Sequence, residues 1–281
     1  MNSFDHFNPS NLSEALTLLA ERNGNAAVIA GGTDLLLRMK HGILKPNAVV
    51  NLKRIPELRG LSYDSTAGLR IGSLTTLREL TRSPQILDLY PALAQTAGVM
   101  ASEQIRSLAT VGGNLCNASP SADMAPPLIA LDAVACLVSL SGERQIPLSE
   151  FFTGPGKSVR VAGELLKEII VPPPQGKTVY LKHSPRAFMD IAIVGTAVRI
   201  QKQGGKCHQA RIVLGAVAPT PLRVRSGEEI LEGQSLTDGI IRQAAQTSAE
   251  SCSPISDVRG SAWYRKRMVE VLVRRGIEAT L

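Results

Sequence analysis

The sequence has few aromatic side chains and few cysteines, and neither set is placed as a nucleic-acid or metal site requires. Only 4% of the 281 residues are Phe, Trp or Tyr, whereas proteins that bind single-stranded nucleic acids stack bases on aromatic platforms. No two cysteines form a CxxC pair, which argues against a zinc or iron–sulfur site held by this chain and favours reduced thiols in a cytoplasmic protein. The cysteines are Cys116, Cys136, Cys207 and Cys252.

Export and membrane signals are also missing. The N-terminus, MNSFDHFNPSN, has neither a basic n-region nor an apolar h-region, and no apolar run is long enough to cross a bilayer. We therefore expect a cytoplasmic protein with no transmembrane segment.

The net charge is +7, but the basic residues are dispersed except near the C-terminus. This distribution favours a solvated helix face or a contact with an acidic partner over nucleic-acid binding. That basic group comprises Arg265, Lys266, Arg267, Arg274 and Arg275.

The local signals along the chain predict an α+β organisation. A first helix is expected between a cap at Ser10 or Asn11 and Gly24, followed by a β-turn-α-β unit in which GGTD is the turn. A hairpin is expected to turn at residues 66–68, and three prolines at 172–174 form a natural break. Beyond the break, two strands around a KQGGK turn and two helices complete the chain.

A glycine pair in VIAGGTDLL lies where a strand is expected to become a helix. Glycine allows a ligand to approach the backbone closely, and the first N–H groups of a helix suit phosphate. Thr33 can cap this helix or donate to a phosphate oxygen, whereas Asp34 would repel an anion unless it faces the helix backbone or a ribose. Taken alone, the segment is more typical of a tight turn without ligand. It matches neither GxGxxG nor GxxxxGK[ST], which argues against NAD-type Rossmann binding and NTP hydrolysis.

A second glycine pair lies in ATVGGNLCNASPSADMAP, a small polar segment whose one charge is Asp123. We expect its glycines to leave backbone N–H groups free as donors, and Asp123 to accept from sugar hydroxyls. Two such loops in one chain suggest a ligand with more than one phosphate and a polyol or ribityl segment. Two unrelated structural loops remain the alternative.

A series of motifs, each weak alone, resembles the FAD-binding medium subunit of molybdenum hydroxylases, the family of xanthine dehydrogenase and aerobic carbon monoxide dehydrogenase. The resemblance covers nearly the whole chain in order. The motifs are AGGTDLL (30–36), QIRSLATVGGNLCNASPSADMAPPLIALDA (104–133), FFTGPGK (151–157), ELLKEIIVP (164–172), RAFMDIA (186–192), GAVAPTPLR (215–223) and GSAWYRKRM (260–268).

The resemblance implies an α+β fold with two domains. Residues 1–174 would form a PCMH-type FAD-binding fold of two α/β subdomains, about 1–56 and 57–174. Residues 175–281 would form a C-terminal α+β domain of the CO dehydrogenase flavoprotein type.

The resemblance also implies an FAD site, in which the first loop lines the pyrophosphate and Asp123 bonds the polar part of the flavin nucleotide. Met100 and Leu166 would lie against the flavin, and Lys182 occupies a position that contacts the cofactor. The residues expected to bind FAD are Val28, Ile29, Ala30, Gly31, Gly32, Thr33, Asp34, Leu35, Met100, Thr110, Val111, Gly112, Gly113, Asn114, Asp123, Leu166 and Lys182. No residue is expected to act as a general acid, general base or metal ligand.

The implied function is electron transfer. Some relatives attach FAD through a His in the first loop, where this chain has Thr33, so FAD is expected to be non-covalent. Molybdopterin and 2Fe–2S clusters would reside on a large and a small partner subunit, in a dimer of heterotrimers. NAD, dioxygen or another carrier would accept the electrons. FFTGPGK favours a xanthine-dehydrogenase-like assembly, and the alternatives are a stand-alone PCMH-type flavin oxidoreductase or a non-catalytic nucleotide-binding module.

Overall fold

The computed structural model describes residues 3–186 and 189–281, so Ala187 and Phe188 of the RAFMDIA motif lie outside the described residues. The strands are β1 (Asp5–Phe7), β2 (Ala26–Ile29), β3 (Ala48–Asn51), β4 (Leu61–Asp64), β5 (Gly68–Gly72), β6 (Val134–Ser139), β7 (Gly142–Pro147), β8 (Phe152–Gly154), β9 (Lys157–Ser158), β10 (Leu165–Val171), β11 (Lys177–His183), β12 (Val194–Gln203), β13 (Lys206–Gly215) and β14 (Leu222–Arg223).

Eleven helices are distributed along the described chain, most of them in runs between groups of strands. They are α1 (Leu12–Glu21), α2 (Leu35–Lys40), α3 (Leu77–Arg82), α4 (Pro84–Leu89), α5 (Pro91–Gly98), α6 (Glu103–Arg106), α7 (Val111–Asn117), α8 (Ala125–Ala130), α9 (Arg225–Leu231), α10 (Asp238–Glu250) and α11 (Ala262–Glu278). Short 3₁₀ turns lie at Leu52–Arg54, Pro56–Leu58 and Leu148–Glu150. In the described ranges, no helix combines the length and the apolarity that a membrane crossing requires.

The N-terminal unit is a parallel sheet ordered β1-β3-β2. Helix α1 begins where predicted, because the side chain of Asn11 accepts a hydrogen bond of 2.9 Å from the backbone N–H of Glu14. Its buried face, which includes Leu16 and Leu19, packs into one apolar cluster with Val50 of β3. The predicted β-turn-α-β unit is confirmed as β2, α2 and β3, whereas the short strand β1 was not predicted.

The second unit is an antiparallel sheet ordered β4-β5-β10-β6-β7. The predicted hairpin is confirmed as β4 and β5, and the Asp64 carboxylate accepts the N–H groups of Thr66 and Ala67, each at 2.8 Å, to hold its turn. Strand β10 lies between β5 and β6 and carries Leu166 into the core.

The third unit is an antiparallel sheet ordered β11-β12-β13-β14, covered by helices α9 to α11. Gly204 and Gly205, both with positive φ, form the predicted KQGGK turn between β12 and β13. Helix α8, buried over its whole length, joins the second unit to this sheet, because it contacts both β12 and β13.

The C-terminal basic group is only partly a solvated face. Arg265 is 3% exposed, and its guanidinium donates to the carbonyls of Ile193 and Ala216 and to the Asp257 carboxylate. The prediction of a solvated position is therefore wrong for Arg265, because α11 buries this side of its first turn against the third sheet. Arg267 is exposed as predicted and pairs with Glu270 on the same helix.

Candidate functional site

The first glycine loop presents a run of unused backbone donors. It connects β2 to α2, and the N–H groups of its residues from Gly31 to Leu35 donate to no acceptor anywhere in the described chain. Gly32 has a φ of +81°, a left-handed conformation that favours glycine. Consecutive N–H groups at a helix start form an anion-binding concavity. This loop therefore fits a phosphate or pyrophosphate.

The acidic and hydroxyl side chains of this loop do not cap the helix. The N-cap residue of α2 is Asp34, and its side chain makes no capping hydrogen bond. Of the two roles considered for Thr33, capping of this helix is not observed, and donation of its hydroxyl to a phosphate oxygen stays a prediction. The carboxylate of Asp34 is exposed to solvent and does not bond the helix backbone, so the N–H groups remain free for a ligand.

The two glycine segments are in direct contact at Gly31. A Cβ at this position would lie 2.2 Å from the carbonyl oxygen of Leu108 and 3.1 Å from the Cα of Ala109. Only glycine allows this approach, because real Cβ atoms do not come so close to backbone. The residue at position 31 thus sets the spacing between the two segments.

The second glycine pair forms the first turn of a helix rather than a bare loop. The N–H groups of Val111 and Gly112 donate to the carbonyls of Thr75 and Ser73, both at 2.9 Å. The N–H of Gly113 donates to the side chain of Thr110, the N-cap of α7, at 3.0 Å. The expectation of free N–H donors here is therefore wrong, because the carbonyls of Ser73 and Thr75 and the capping hydroxyl of Thr110 accept them.

These glycines serve close packing instead. A Cβ at Gly112 would lie 2.6 Å from both the Cβ and the carbonyl oxygen of Ser73, and one at Gly113 would lie 2.9 Å from the Thr110 hydroxyl oxygen. What α7 offers a ligand is the side chain of Asn114, whose buried Oδ1 has no hydrogen-bond partner among the described residues. A buried acceptor without a donor costs about 1–3 kcal/mol. A bound molecule that donates to Asn114 would remove that cost.

A buried acid–base pair lies beyond the end of α7. The carboxylate of Asp123 accepts from the Tyr180 hydroxyl at 2.6 Å and from the Lys182 ammonium at 3.0 Å. Both charged side chains are less than a tenth exposed. Asp123 lies in the turn just before α8, and Lys182 lies on strand β11. Each was expected separately to contact FAD, and the fold brings them together.

The two apolar side chains expected near the flavin lie in the largest core cluster. Met100 is 9% exposed and Leu166 is 4% exposed, and the same cluster contains Val111 and Tyr180. The guanidinium of Arg106 donates to the Met100 carbonyl at 2.7 Å and fixes the backbone there. Val28 and Ile29 belong to strand β2, and Ala30 begins the first loop.

Sequence reasoning missed three residues that shape this site. Tyr180 was detectable, since it precedes Lys182 by two positions in a strand and therefore projects to the same face. Ser73 and Thr75 carried no signal, because they act through carbonyl groups that pair with a segment far along the chain. In residues 3–186 and 189–281, no three His, Cys, Asp or Glu side chains are grouped to hold a metal.

Family models match nearly the whole chain. The model described as "FAD binding domain in molybdopterin dehydrogenase" matches residues 2–174, and that described as "CO dehydrogenase flavoprotein C-terminal domain" matches residues 179–280. The chain belongs to the family of FAD-binding medium subunits of molybdenum hydroxylases. The PCMH-type fold and FAD as its cofactor follow from this membership.

Individual relatives of this medium subunit are oxidoreductase subunits. The xanthine dehydrogenase FAD-binding subunit of Escherichia coli O157:H7 is 32% identical over 269 residues, which cover 95% of this chain and 92% of the relative. The carbon monoxide dehydrogenase medium chain of Hydrogenophaga pseudoflava is 33% identical over 277 residues, covering 98% and 96%. This medium subunit is therefore an oxidoreductase subunit.

Solved structures agree with this family. A structure of carbon monoxide dehydrogenase from Hydrogenophaga pseudoflava superposes with a TM-score of 0.96 at 33% identity, covering 99% of this chain and 97% of the other. Quinoline 2-oxidoreductase from Pseudomonas putida 86 superposes with a TM-score of 0.94 at 28% identity, covering 99% and 97%.

Proposed function

We propose that this chain is the FAD-carrying electron-transfer subunit of a molybdopterin-dependent hydroxylase. In this role it takes electrons from 2Fe–2S clusters of a partner subunit and delivers them to NAD, dioxygen or another acceptor. The observation that carries the proposal is the run of free N–H donors from Gly31 to Leu35, held directly against the second glycine segment. Such a cradle suits the pyrophosphate of a dinucleotide cofactor.

We assign the binding roles as follows. The stretch from Val28 to Leu35, which comprises the end of β2, the first loop and the start of α2, lines the pyrophosphate, and the free N–H groups from Gly31 to Leu35 hold it. The segment from Thr110 to Asn114 closes the other side, with the unpaired Asn114 oxygen as its acceptor. The Asp123 carboxylate accepts from a hydroxyl or N–H of the flavin nucleotide, and Lys182 contributes a donor beside it. Met100 and Leu166 line the flavin side.

The chain itself supplies binding and orientation, and no side chain is assigned to proton transfer. Bound FAD supplies the redox chemistry, since flavin accepts electrons singly and releases them as a pair. We further propose that FAD is bound without a covalent link, because position 33 carries a threonine hydroxyl rather than an imidazole. The division into a domain at 1–174 and a domain at 175–281 is part of the proposal, and the boundary between the two matched family models supports it.

Partner subunits complete the proposed enzyme. We propose a large subunit with the molybdopterin and a small subunit with the 2Fe–2S clusters, assembled as a dimer of heterotrimers. Several relatives are named as a medium chain or as a subunit of a dehydrogenase complex, which supports an assembly of this kind. The four free thiols fit a reducing compartment, and we place the assembly in the cytoplasm.

We propose that the substrate binds to the large partner subunit. We favour a xanthine-dehydrogenase-like assembly on the basis of FFTGPGK, whose β8–β9 hairpin donates from the Gly156 N–H to the Ala118 carbonyl at the end of α7. Relatives of similar identity are named for carbon monoxide, glyceraldehyde and nicotinate as well as xanthine.

Affinity purification of the tagged chain from its own host tests this function. We expect co-purification with two further chains, with molybdenum and iron at fixed ratios to FAD, and bleaching of the flavin when an oxidisable purine is added. Bleaching by an aldehyde or by carbon monoxide instead would show that the substrate is not a purine, and it would still support the electron-transfer role. A chain that purifies alone and oxidises a substrate with its own flavin would contradict the proposal in favour of a stand-alone oxidoreductase.

A further inference from the structure

A buried tyrosine on β11 is hydrogen-bonded to the carboxylate of the proposed FAD site. Tyr180 is 3% exposed, and its hydroxyl donates to Asp123 Oδ1 at 2.6 Å. Lys182, two residues further along the same strand, donates to Oδ2 at 3.0 Å. The carboxylate is thus held by one donor on each oxygen.

We propose that Tyr180 is a positioning residue that orients the Asp123 carboxylate for FAD. This inference rests on the proposed binding role of Asp123 and deepens it. A carboxylate has about four acceptor positions, so Tyr180 and Lys182 leave roughly one free on each oxygen for a ligand. Lys182 alone fixes this orientation poorly, because its ammonium group sits on a flexible four-carbon stem. The tyrosine ring, packed in the core, supplies the rigid donor.

The neighbouring strand is shaped to admit the Tyr180 hydroxyl. Gly195 of β12 lies beside it, in register with Lys182. A Cβ at Gly195 would lie 2.6 Å from the Tyr180 hydroxyl oxygen, but 3.3 Å from the nearest ring carbon. A side chain at position 195 would therefore collide with the Tyr180 hydroxyl, whereas its clash with the tyrosine ring would be much smaller.

The hydroxyl remains a donor over the working pH range. Burial, together with the neighbouring Asp123 carboxylate, raises the pKa of Tyr180 well above its ordinary value. The phenol is therefore protonated at neutral and moderately alkaline pH. It can serve as a permanent donor to a carboxylate that must stay oriented.

The chain contains a matched control for the loss of a buried tyrosine hydroxyl. Tyr90 is 2% exposed, lies in the same core cluster, and donates to the carbonyl of Pro172 at 2.8 Å. Tyr90→Phe therefore removes a comparable hydrogen bond without touching Asp123. A purely structural role for Tyr180 predicts the same behaviour from both variants.

The test is a fluorescence titration of the flavin-stripped full-length chain with FAD, alongside the melting temperature of the apo chain. We expect Tyr180→Phe to raise the Kd for FAD about 10- to 100-fold, because hydrogen bonds to charged groups are the stronger class. Tyr90→Phe should change the Kd less than about threefold while still lowering the melting temperature, because its hydroxyl donates to a backbone carbonyl away from Asp123. Asp123→Asn provides the reference for a damaged site.

A double-mutant cycle gives the sharper result. Gly195→Ala should weaken FAD binding in the wild-type background by displacing the hydroxyl. In the Tyr180→Phe background it should add little, since the new methyl group occupies the vacated space. Strict additivity of the two changes in Kd would overturn the inference.

The outcomes separate this inference from the function on which it rests. A folded wild-type chain that fails to bind FAD contradicts the proposed function itself. Tight wild-type binding that Asp123→Asn weakens and Tyr180→Phe leaves unchanged overturns only the role of Tyr180. Equal effects of Tyr180→Phe and Tyr90→Phe on the Kd would also overturn it.

Discussion

Replacement of Gly31 by alanine probes the contact between the two glycine segments. The added methyl group would lie 2.2 Å from the Leu108 carbonyl oxygen and 2.8 Å from its carbonyl carbon. Both are backbone atoms, so no rotamer change relieves the clash. The segments must separate by about 1.3 Å for the methyl group to reach an ordinary contact of about 3.5 Å with the carbonyl oxygen. Overpacking of this kind costs about 1–3 kcal/mol.

The separation should reduce the free energy of FAD binding more than the free energy of unfolding, because the first loop is only half-buried and can shift without disturbing the core. The N–H cradle and Asn114 would then no longer fit one ligand, and we expect the Kd for FAD to rise about 10- to 100-fold. Fluorescence titration measures the Kd, and circular dichroism verifies the fold.

Gly239→Ala is the matched control for this prediction. Gly239 lies in the first turn of α10, its φ is not positive, and an added Cβ there meets nothing within 4 Å. Its FAD affinity should equal that of the wild type. Wild-type affinity in Gly31→Ala would refute the conclusion that contact between the two segments forms the site.

Two further predictions concern stability. Gly112→Ala places a methyl group 2.6 Å from Ser73 and should cost about 1–3 kcal/mol of unfolding free energy, seen in denaturant titrations; an unchanged midpoint would contradict the packing described here. Burial acts to raise the pKa of Asp132, but Arg211 and Arg199 outweigh it and lower this pKa. The carboxylate therefore stabilises the fold above about pH 4, and this contribution is lost as the pH falls through the folded pKa. Asp132→Asn should lower the melting temperature at pH 7, and the difference from the wild type should shrink as the pH falls through the folded pKa of Asp132. A pH-independent difference would contradict this assignment.

Local signals in the sequence were sufficient where neighbouring residues decide the structure. The cap of α1 at Asn11 and the hairpin turn held by Asp64 involve bonds across two or three residues. The turn at Gly204 and Gly205 likewise needs only the conformational freedom of glycine. These elements were therefore predicted from composition and spacing.

Hydrogen bonds between residues far apart in the chain determine the features that local sequence signals failed to predict. The N–H groups of Val111 and Gly112 bond to carbonyls almost forty residues earlier, so a segment that resembled an open loop is a packed helix. The burial of Arg265 depends on the carbonyls of Ile193 and Ala216, which no local pattern marks. The two glycine pairs are thus alike in sequence, yet the first presents free backbone N–H donors, whereas the second packs closely against Ser73.

The site residues show the same division. The free donors at Gly31 to Leu35 agree with the expectation for a strand-to-helix turn. The pairing of Asp123 with Lys182 joins positions almost sixty residues apart, and it followed only from the family resemblance that each should contact FAD. Tyr180 lay beside them in the strand pattern and was overlooked.

An equilibrium titration of the purified, flavin-stripped chain with FAD, followed by acid precipitation of the saturated protein, tests the FAD site directly. We expect saturable binding of one FAD per chain and release of all flavin into the acid supernatant. A chain that is folded by circular dichroism but shows no saturable binding would contradict the FAD site described here. Flavin retained in the precipitate would contradict non-covalent attachment.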